Sequence, residues 1–446
     1  MSKVILVSPP YMKLSYPSYD MPLSLTKGCN YMNPSLLICS AILDSKNISN
    51  KIIKVNDPTD VQSIISELDS DTIMVGISCT CAWEYLESLK IAEIIKSKMP
   101  NIKIVMSGWQ IKSIKEQVFN DSLNIDYIIL GDAEYTIYEL YKKIKTNSNM
   151  PIISVMDSNL NNVDDSNANF PHVEFQVINF KKFPQFEEYL PYVEESRNCP
   201  FSCQFCLNSC VRDKYQNVPI DIFKKNVEEL ETTYGENINA NLLAANFGVD
   251  YKETKRKLEY LKTKKIKWNI ELHVDNPWEY YINDLKMAGI TKVSIGFESG
   301  STKILKLMNK TSDPENYLIR LEKMLIKLNE QGIKPSLNLL IDYREDYDSI
   351  CETLSFLEKN KSLINKVKAN FMFVFEGLFN NIDYSYNPNI IIDEYGKKIH
   401  AYPILPNGIS LKEISNIIDE IEKGNFNYSI MEPTSFTRKK EKTLFK

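Results

Sequence analysis

The stretch Arg197-Asn198-Cys199-Pro200-Phe201-Ser202-Cys203-Gln204-Phe205-Cys206 places three cysteines within eight residues at the spacing C-x3-C-x2-C. Thiolates this close in sequence can converge on one metal centre, and a loop of this length can wrap a cube of iron and sulfide with one iron left free of protein ligands. Cys210 follows after three more residues, so a four-thiolate zinc knot or a closed ferredoxin-like cluster are the competing readings. The first gap is too long for the usual C-x2-C knuckle. A ferredoxin run would begin C-x2-C and place a proline after its last cysteine, where this chain has Val211. The open cluster is the favoured reading, and Cys210 is then an ordinary thiol at the start of the next helix.

This spacing, with an aromatic residue just before the third cysteine, resembles the cluster loop of the radical S-adenosylmethionine (SAM) enzymes. The resemblance implies that Cys199, Cys203 and Cys206 hold a 4Fe-4S cluster whose open iron chelates SAM, with Phe205 lying against the bound SAM. Ala288-Gly289-Ile290-Thr291-Lys292-Val293-Ser294-Ile295-Gly296-Phe297-Glu298-Ser299-Gly300 is similar to the family's helix-turn-strand ending in Gly-x-Glu-Ser-Gly, and Leu305 to Lys310 fits the Leu-x-x-x-x-Lys that follows it. The SAM contacts implied are Phe205, Asn246, His273, Glu298 and Asn338. A carboxylate at the Glu298 position can accept hydrogen bonds from ribose hydroxyls or the SAM ammonium, or can simply cap the next helix. Several positions depart from the family. Ala244-Ala245-Asn246-Phe247-Gly248 stands in place of an acidic or glycine-rich turn, and His273 in place of a frequent arginine. Asp342-Tyr343-Arg344-Glu345 replaces a Gly-x-Pro turn, and Glu376-Gly377-Leu378 a Pro-Gly-Thr.

At 446 residues and 43% hydrophobic content the chain can build two or three cores, and its net charge of -5 gives no general attraction to nucleic acid or anionic membrane. The run Arg438-Lys439-Lys440 reads as solvated. No stretch reaches transmembrane length and the N-terminal apolar run is too short for a signal peptide, so a cytoplasmic protein is expected. Nine cysteines, an odd number with four inside twelve residues, argue for reduced thiols rather than disulfides.

Apolar runs at Val4 to Val7, Ile52 to Val55, Thr72 to Ile77, Ile102 to Met106 and Tyr127 to Leu130 predict buried strands. Helices are predicted at Ser35 to Leu43, Asp60 to Leu68, Glu84 to Lys98, Ser113 to Phe119 and Thr136 to Ile144. Such alternation predicts a doubly wound parallel sheet with functional loops at its strand C-termini. Those loops, and the small residues in them, look like the cobalamin-binding domain that precedes the radical SAM domain in one subfamily. The resemblance implies cobalamin contacts at Pro10, Ser78, Thr80, Gly108, Trp109, Gln110, Gly131 and Glu134. Ser107-Gly108 replaces the family's Gly-Gly, and Gly131-Asp132-Ala133-Glu134 its Gly-Glu-Gly-Glu. The first 145 residues hold no histidine, hence no histidine lower ligand. A flavodoxin-like scaffold that has lost its cofactor is the alternative. Trp109 suits cofactor packing or interdomain packing equally, and Cys79 and Cys81 share one strand face as buried thiols.

Residues from about Thr146 to Asn169 are rich in Asn, Asp and Ser and read as a linker; His172 just beyond it reads as a surface residue. Further strands are predicted at Ile238 to Ala244, Lys267 to Leu272, Lys292 to Gly296, Ser336 to Ile341 and Lys368 to Phe375. Helices are predicted at Ile220 to Thr232, Tyr251 to Lys262, Glu279 to Ala288, Pro314 to Gln331 and Ser349 to Lys359, and a last one from Leu411 to Lys423. The fold expected is α/β: an N-terminal doubly wound parallel sheet of cobalamin-binding type (1–145), a linker (146–185), a partial (β/α)6 radical SAM barrel (186–380) and a C-terminal extension (381–446). The resemblance implies an enzyme that cleaves SAM to a 5'-deoxyadenosyl radical. Methyl transfer with cobalamin to an unactivated carbon is the leading outcome. Cobalamin-independent radical chemistry and a non-catalytic metal-stabilised scaffold are the alternatives. Partners implied are a small-molecule or peptide substrate and an electron donor such as flavodoxin or ferredoxin, with no membrane and no nucleic acid.

Overall fold

A computed structural model describes residues 2–10, 32–56, 62–148, 151–152, 154–160, 175–210, 214–376, 400–404, 406 and 427–430. In the N-terminal unit the strands are β1 (Lys3–Ser8), β2 (Ser49–Lys54), β3 (Thr72–Ser78), β4 (Lys103–Ser107), β5 (Tyr127–Ile129) and β6 (Val155–Asp157), in the order β2-β1-β3-β4-β5-β6. β1 to β5 are parallel; the inner strands β1, β3 and β4 are buried on both faces, which is why they read as apolar runs, while the edge strand β2 is buried mainly at Ile52 and Ile53. Strand order reverses between β1 and β3, and at such a switch point the strand C-termini leave a crevice.

Two expectations for this half are corrected. β6 lies inside the stretch read as linker and pairs antiparallel with β5, so the six-stranded sheet is not wholly parallel. The helix expected at Ser113 to Phe119 is two short helices, Trp109–Ile114 and Gln117–Asp121, because Lys115 between them takes a positive φ of 46°. Cys79 and Cys81 are both buried in the same apolar cluster, as their spacing predicts.

The second unit opens with β7 (Tyr192–Glu194), a strand that the sequence reading missed. A two-stranded ribbon follows, β8 (Ser196–Arg197) with β9 (Gln216–Asn217), flanking the cysteine loop. Then come β10 (Asn239–Leu243), β11 (Lys267–Leu272), β12 (Ile290–Glu298), β13 (Ser336–Ile341) and β14 (Lys366–Phe375). Six parallel strands run in the order β7-β10-β11-β12-β13-β14, the partial barrel expected. β15 (Ala401–Ile404) adds antiparallel to β14, and β16 (Asn427–Ile430) parallel to it. The predicted helix at Glu279 to Ala288 is instead two 3-10 turns, Trp278–Tyr280 and Ile282–Asp284. Trp278, Tyr281, Ile282 and Leu285 are buried at helical spacing, which misled the periodicity. Their backbone closes i→i+3 bonds instead, Tyr281 N to Trp278 O at 3.1 Å and Asp284 N to Tyr281 O at 2.9 Å. The predicted helix at Leu411 to Lys423, the basic run at Arg438 and His172 lie outside the described residues.

The two units share one apolar cluster. Phe180, Phe183, Tyr189 and Tyr192 pack with Leu36, Leu37 and Leu43 of the helix Pro34–Ser45, so the segment leading into the barrel is part of the core. A second tie is polar. His400, buried beside β15, bonds Glu376 through Nδ1 at 2.7 Å and Asp121 of the N-terminal unit through Nε2 at 2.8 Å, while Tyr85 donates to Asp121 at 2.6 Å. Burial opposes the imidazolium, but the two carboxylates outweigh it and raise the His400 pKa to about 9.

Two predictions follow from these contacts. A Cβ on Gly108, whose φ is 124°, would lie 2.1 Å from the Cys79 carbonyl oxygen, so Gly108→Ala is expected to cost at least about 1 kcal/mol, read as a lower urea midpoint. His400 is protonated more readily folded than unfolded, so its contribution is complete below about pH 6.5 and is lost as the pH rises through about 9. The thermal midpoint should fall across that window in the wild type, and His400→Gln should flatten the fall.

Candidate functional site

The cysteine loop is held from three sides. Asn198, at a φ of 60° that asparagine tolerates, turns the chain out of β8 and donates to the Lys214 carbonyl at 3.1 Å. Gln204 N donates to Met308 O at 2.9 Å, and Asn309 Nδ2 donates to Ser202 O at 2.8 Å. Arg344 forks onto Asp342 through Nε and Nη2, both at 2.7 Å, and extends Nη1 to Leu307 O at 2.8 Å and Gln204 at 3.3 Å. The Asp342-Tyr343-Arg344-Glu345 departure noted in the sequence therefore supplies a clamp beside the loop.

Within the loop Cys206 N bonds Cys203 O at 3.1 Å, and the Ser209 hydroxyl donates to the carbonyls of both residues. Cys203 is buried, and Cys199 and Cys206 are half-buried. Burial pushes the Cys203 thiol up to about 12, with Lys310 the chief opposing influence, and the charges of Cys199 and Cys206 add to the rise. Cys199 is raised by burial too, and again by Cys206, so the three sulfurs lie close enough to act on one another. Among the described residues no three His, Cys, Asp or Glu side chains close on a single ion. Three mutually near thiols on a constrained loop fit a larger centre such as an iron-sulfur cube. Cys210 ends the one-turn helix Leu207–Cys210; the expectation that it begins the next helix is corrected.

Behind the loop lies a buried ion pair. Glu298, at the end of β12 with a φ of 62°, receives Lys310 Nζ on Oε1 at 2.9 Å, and the lysine side chain is only 5% exposed. Gly296 leaves the room: a Cβ there would stand 2.6 Å from Nζ and 2.7 Å from the carboxylate. Burial works against the ammonium, yet Glu298 outweighs it and holds the Lys310 pKa above the ordinary lysine value. Glu298 is thus no helix cap, since Ser301 holds that position before the helix Thr302–Leu307. The Lys310 ammonium also lies 5.8 Å from the Phe205 ring centroid, which ties that ring to the pair.

Asn246 is spent. Its Nδ2 donates to Asn276 Oδ1 at 2.9 Å and toward Cys199 Sγ at 3.9 Å, while its Oδ1 accepts from Asn276 Nδ2 at 2.6 Å and His273 N at 3.2 Å. A carboxamide has no further capacity, so Asn246 anchors the strand end beside Cys199 rather than offering itself to a ligand. His273 is buried, stacks on Phe201 at 3.9 Å between centroids, and accepts the Asp275 amide on Nδ1 at 3.1 Å. Burial, then the Lys310 charge, lowers its pKa to about 2, so it is neutral. Asn338, on β13, keeps a carbonyl oxygen without a hydrogen-bond partner among the described residues.

A cavity opens at the strand C-termini of the N-terminal sheet. It encloses about 700 Å³, open mouth included, and is lined by Ser78, Thr80, Gly108, Trp109, Gly131 and Glu134 of the eight residues named from the sequence. Pro10 and Gln110, both buried, are not part of the lining. The close approach of Gly108 to Cys79 explains why this position must be glycine, whereas Ser107 merely bonds the Ile129 carbonyl at 3.3 Å, so the first glycine of the family pair is dispensable here. Lys112 Nζ sits 5.1 Å from the Trp109 ring centroid. Ser78 accepts Asn33 Nδ2 at 2.8 Å, and Thr80 donates to Glu84 at 2.8 Å.

Glu134 links the two sites. It pairs with Arg197, which also forks onto Glu194 of β7 and lies 4.8 Å from the Phe175 ring centroid. Burial pushes Glu134 up to about 7 against the pull of Arg197. The arginine stays charged because Glu194 and Glu134 together outweigh its burial. A residue of the cavity wall is therefore bonded to the residue two places before the first cysteine.

Residues 193–357 match the family model described as the radical SAM superfamily. The chain carries a radical SAM domain. Such a domain works with a 4Fe-4S cluster and SAM, and the cysteine loop, the Gly-x-Glu-Ser-Gly strand end and the lysine that meets it all fall inside the matched residues. An uncharacterized methyltransferase of Pyrococcus horikoshii is 24% identical over 294 residues, 58% of this chain and 58% of that protein. The chain thus spans little more than half the length of this relative. The radical SAM methyltransferase TsrM of Kitasatospora setae, solved with tryptophan substrate and a SAM analogue, shares the fold with a TM-score of 0.72, 13% identity, and coverage of 97% of this chain and 92% of that one. It has also been solved with cobalamin and a [4Fe-4S] cluster bound. The cobalamin-dependent SAM radical enzyme OxsB, solved with aqua-cobalamin and SAM, aligns with a TM-score of 0.62 at 21% identity over 80% of this chain and 52% of that one. The fold of the N-terminal unit is covered by these likenesses. Among the described residues no helix is long and apolar enough to cross a membrane.

Sequence reasoning missed Arg197 and Arg344 and gave Lys310 no role. Arg197 stands at the edge of the cysteine motif, but its partner Glu134 is 63 residues away and no spacing rule connects them.

The buried pair yields a prediction. Lys310→Met leaves the Glu298 carboxylate unpaired and should cost about 3–5 kcal/mol, while the double variant Lys310→Met with Glu298→Gln should recover much of the loss. Urea unfolding of the apo-protein checks both.

Proposed function

We propose that the protein is a cobalamin-dependent radical SAM methyltransferase acting on an unactivated carbon of a small-molecule or peptide substrate. The observation that carries this reading is the Glu134–Arg197 pair, which bonds the wall of the strand-end cavity to the entry of the cysteine loop. The pair fixes the cavity wall relative to the entry of the loop, as cooperation between two cofactors requires. The shared fold with TsrM and OxsB, SAM enzymes each solved with cobalamin, and the likeness to the Pyrococcus methyltransferase support the reading.

Cys199, Cys203 and Cys206 would hold the cluster, and the cavity lined by Ser78, Thr80, Gly108, Trp109 and Gly131 would hold cobalamin. When bound, the cluster and SAM supply a 5'-deoxyadenosyl radical at the expense of one electron from a donor such as flavodoxin or ferredoxin, and cobalamin supplies the methyl group, renewed from a second SAM. The chain's own residues set the geometry. Asn246 directs an N–H at Cys199 Sγ, and hydrogen bonds to a thiolate lower its electron density. The Lys310 ammonium beside Cys203 favours the thiolate over the thiol, easing its loading with iron. Glu298, fixed by Lys310 through Oε1, keeps its second oxygen as an acceptor for the SAM ammonium or ribose. Phe201 stacks on His273, which packs the loop against the end of β11.

Anaerobic incubation of the reconstituted protein with SAM, reductant, cobalamin and the true substrate should yield both 5'-deoxyadenosine and S-adenosylhomocysteine. Glu298→Gln should weaken SAM binding at least tenfold while cluster iron stays at the wild-type level. Purified protein that takes up no cobalamin and forms 5'-deoxyadenosine without S-adenosylhomocysteine would replace methyl transfer by cobalamin-independent radical chemistry.

A further inference from the structure

Reducing a cluster held by Cys199, Cys203 and Cys206 adds one negative charge to a centre already ringed by three thiolates, and burial opposes that charge unless fixed N–H groups or a cation offset it. The three sulfurs are not served alike. Cys199 Sγ faces the Phe201 amide and receives Asn246 Nδ2 at 3.9 Å. Cys203 is the most buried of the three, and among the described residues no hydrogen bond reaches its sulfur. The loop amides beside it bond elsewhere, Gln204 N to Met308 O at 2.9 Å and Cys206 N to Cys203 O at 3.1 Å.

What stands near Cys203 is a charge. Lys310 follows directly on the two residues that staple the loop, Met308 through its carbonyl and Asn309 through Nδ2 to Ser202 O at 2.8 Å, and its own amide donates to Leu305 O at 3.0 Å. The backbone of the lysine is thereby fixed to the loop. Its side chain is 5% exposed, and its ammonium is held by Glu298 Oε1 at 2.9 Å, in space that a Cβ at Gly296 would invade to 2.6 Å. The same ammonium lies 5.8 Å from the ring centroid of Phe205, the residue just before Cys206. The pair turns its positive end to the loop. Of the charged groups acting on Cys203, Lys310 acts most strongly and Glu298 less, and Lys310 is among the leading influences on Cys199 where Glu298 is not. The neighbouring cations are engaged or absent: Arg197 pairs with Glu194 and Glu134, Arg344 pairs with Asp342, and His273 is neutral.

We propose that Lys310 sets the reduction potential of the cluster, as a permanent buried cation that makes the centre easier to reduce. The step it favours is the entry of one electron from an external reductant into the cluster; no bond forms or breaks and the ammonium keeps its proton, so the lysine acts through its charge alone. A cation in a water-poor wall acts far more strongly on a charge that appears beside it than an exposed lysine does, because salt and solvent screen the latter. Glu298 has the opposite sense but acts on Cys203 more weakly than the lysine, so the pair does not cancel at the loop. A weaker reductant then suffices to load the cluster. The proposal rests on the assignment of the cluster to the three cysteines and needs neither cobalamin nor methyl transfer.

The test is a mediated redox titration of the anaerobically reconstituted protein without SAM, followed by the EPR signal of the reduced cluster. Glu298→Gln should move the midpoint to a more positive potential and Lys310→Met to a more negative one, while Lys310→Arg, which keeps the charge, stays close to the wild type. Opposite shifts from two side chains in contact are the signature of charge; a loosened or newly wetted loop would move both variants the same way. Should Lys310→Met fail to fold around a cluster, the double variant Glu298→Gln with Lys310→Met is read against Glu298→Gln, and its midpoint should lie lower. An unchanged or higher midpoint in either comparison overturns the proposal, as do shifts in one direction from both single variants. Wild-type protein that takes up no cluster iron would sink the cluster assignment itself, and the proposal with it.

Discussion

Arg197 is the point at which the two halves of this molecule become one device. Its guanidinium is fixed by Glu194 on the first barrel strand and by Glu134 at the cavity of the N-terminal sheet, and the cysteine loop starts two residues later. Breaking such a buried network leaves an unpaired charge, a loss of about 3–5 kcal/mol, so the relative placement of loop and cavity is held far more tightly than an exposed ion pair would hold it. The apolar cluster shared by Phe180, Tyr192 and Leu36 supplies most of the adhesion between the halves but little direction. Direction comes from the arginine fork, whose planar geometry admits few alternatives.

A second buried pair steadies the same region from below. Lys257 Nζ meets the Glu195 carbonyl at 2.6 Å and its carboxylate at 3.0 Å, with side chains 1% and 0% exposed. Glu195 sits between Glu194 and the ribbon that leads to Cys199, so both flanks of this short link are pinned. With Glu298 and Lys310 behind the loop, three ion pairs converge on about a dozen residues. Their net worth to the folded state is modest, because desolvation offsets attraction, but each one excludes alternative placements of the loop.

Much of the fold was legible because the strands carry a plain pattern, apolar runs such as Val4 to Val7 in the first sheet and an alternation of buried with less buried residues in the barrel, where Lys267–Leu272 and Ser336–Ile341 were read to the residue. The failures have physical causes. β7 is three residues long, below the length at which a pattern emerges. The segment after Pro277 carries a helical stripe yet takes 3-10 turns, since tertiary contacts at Trp278 and Tyr281 override local periodicity. At the site, the cysteine triad was legible because its ligands are local. Asn246 was read as a SAM contact, but its four hydrogen bonds, three of them to residues 27 to 30 positions away, could not be seen from its neighbours in sequence.

The departures from the family pattern then acquire a common reason. Where relatives carry Gly-Gly, only Gly108 meets the backbone of Cys79, so Ser107 is tolerated. Where they carry Gly-x-Pro, Arg344 spans from Asp342 to the cysteine loop and replaces a rigid turn by a hydrogen-bonded one. Where they carry arginine, His273 is neutral and stacked, so it brings no positive charge of its own to the barrel mouth.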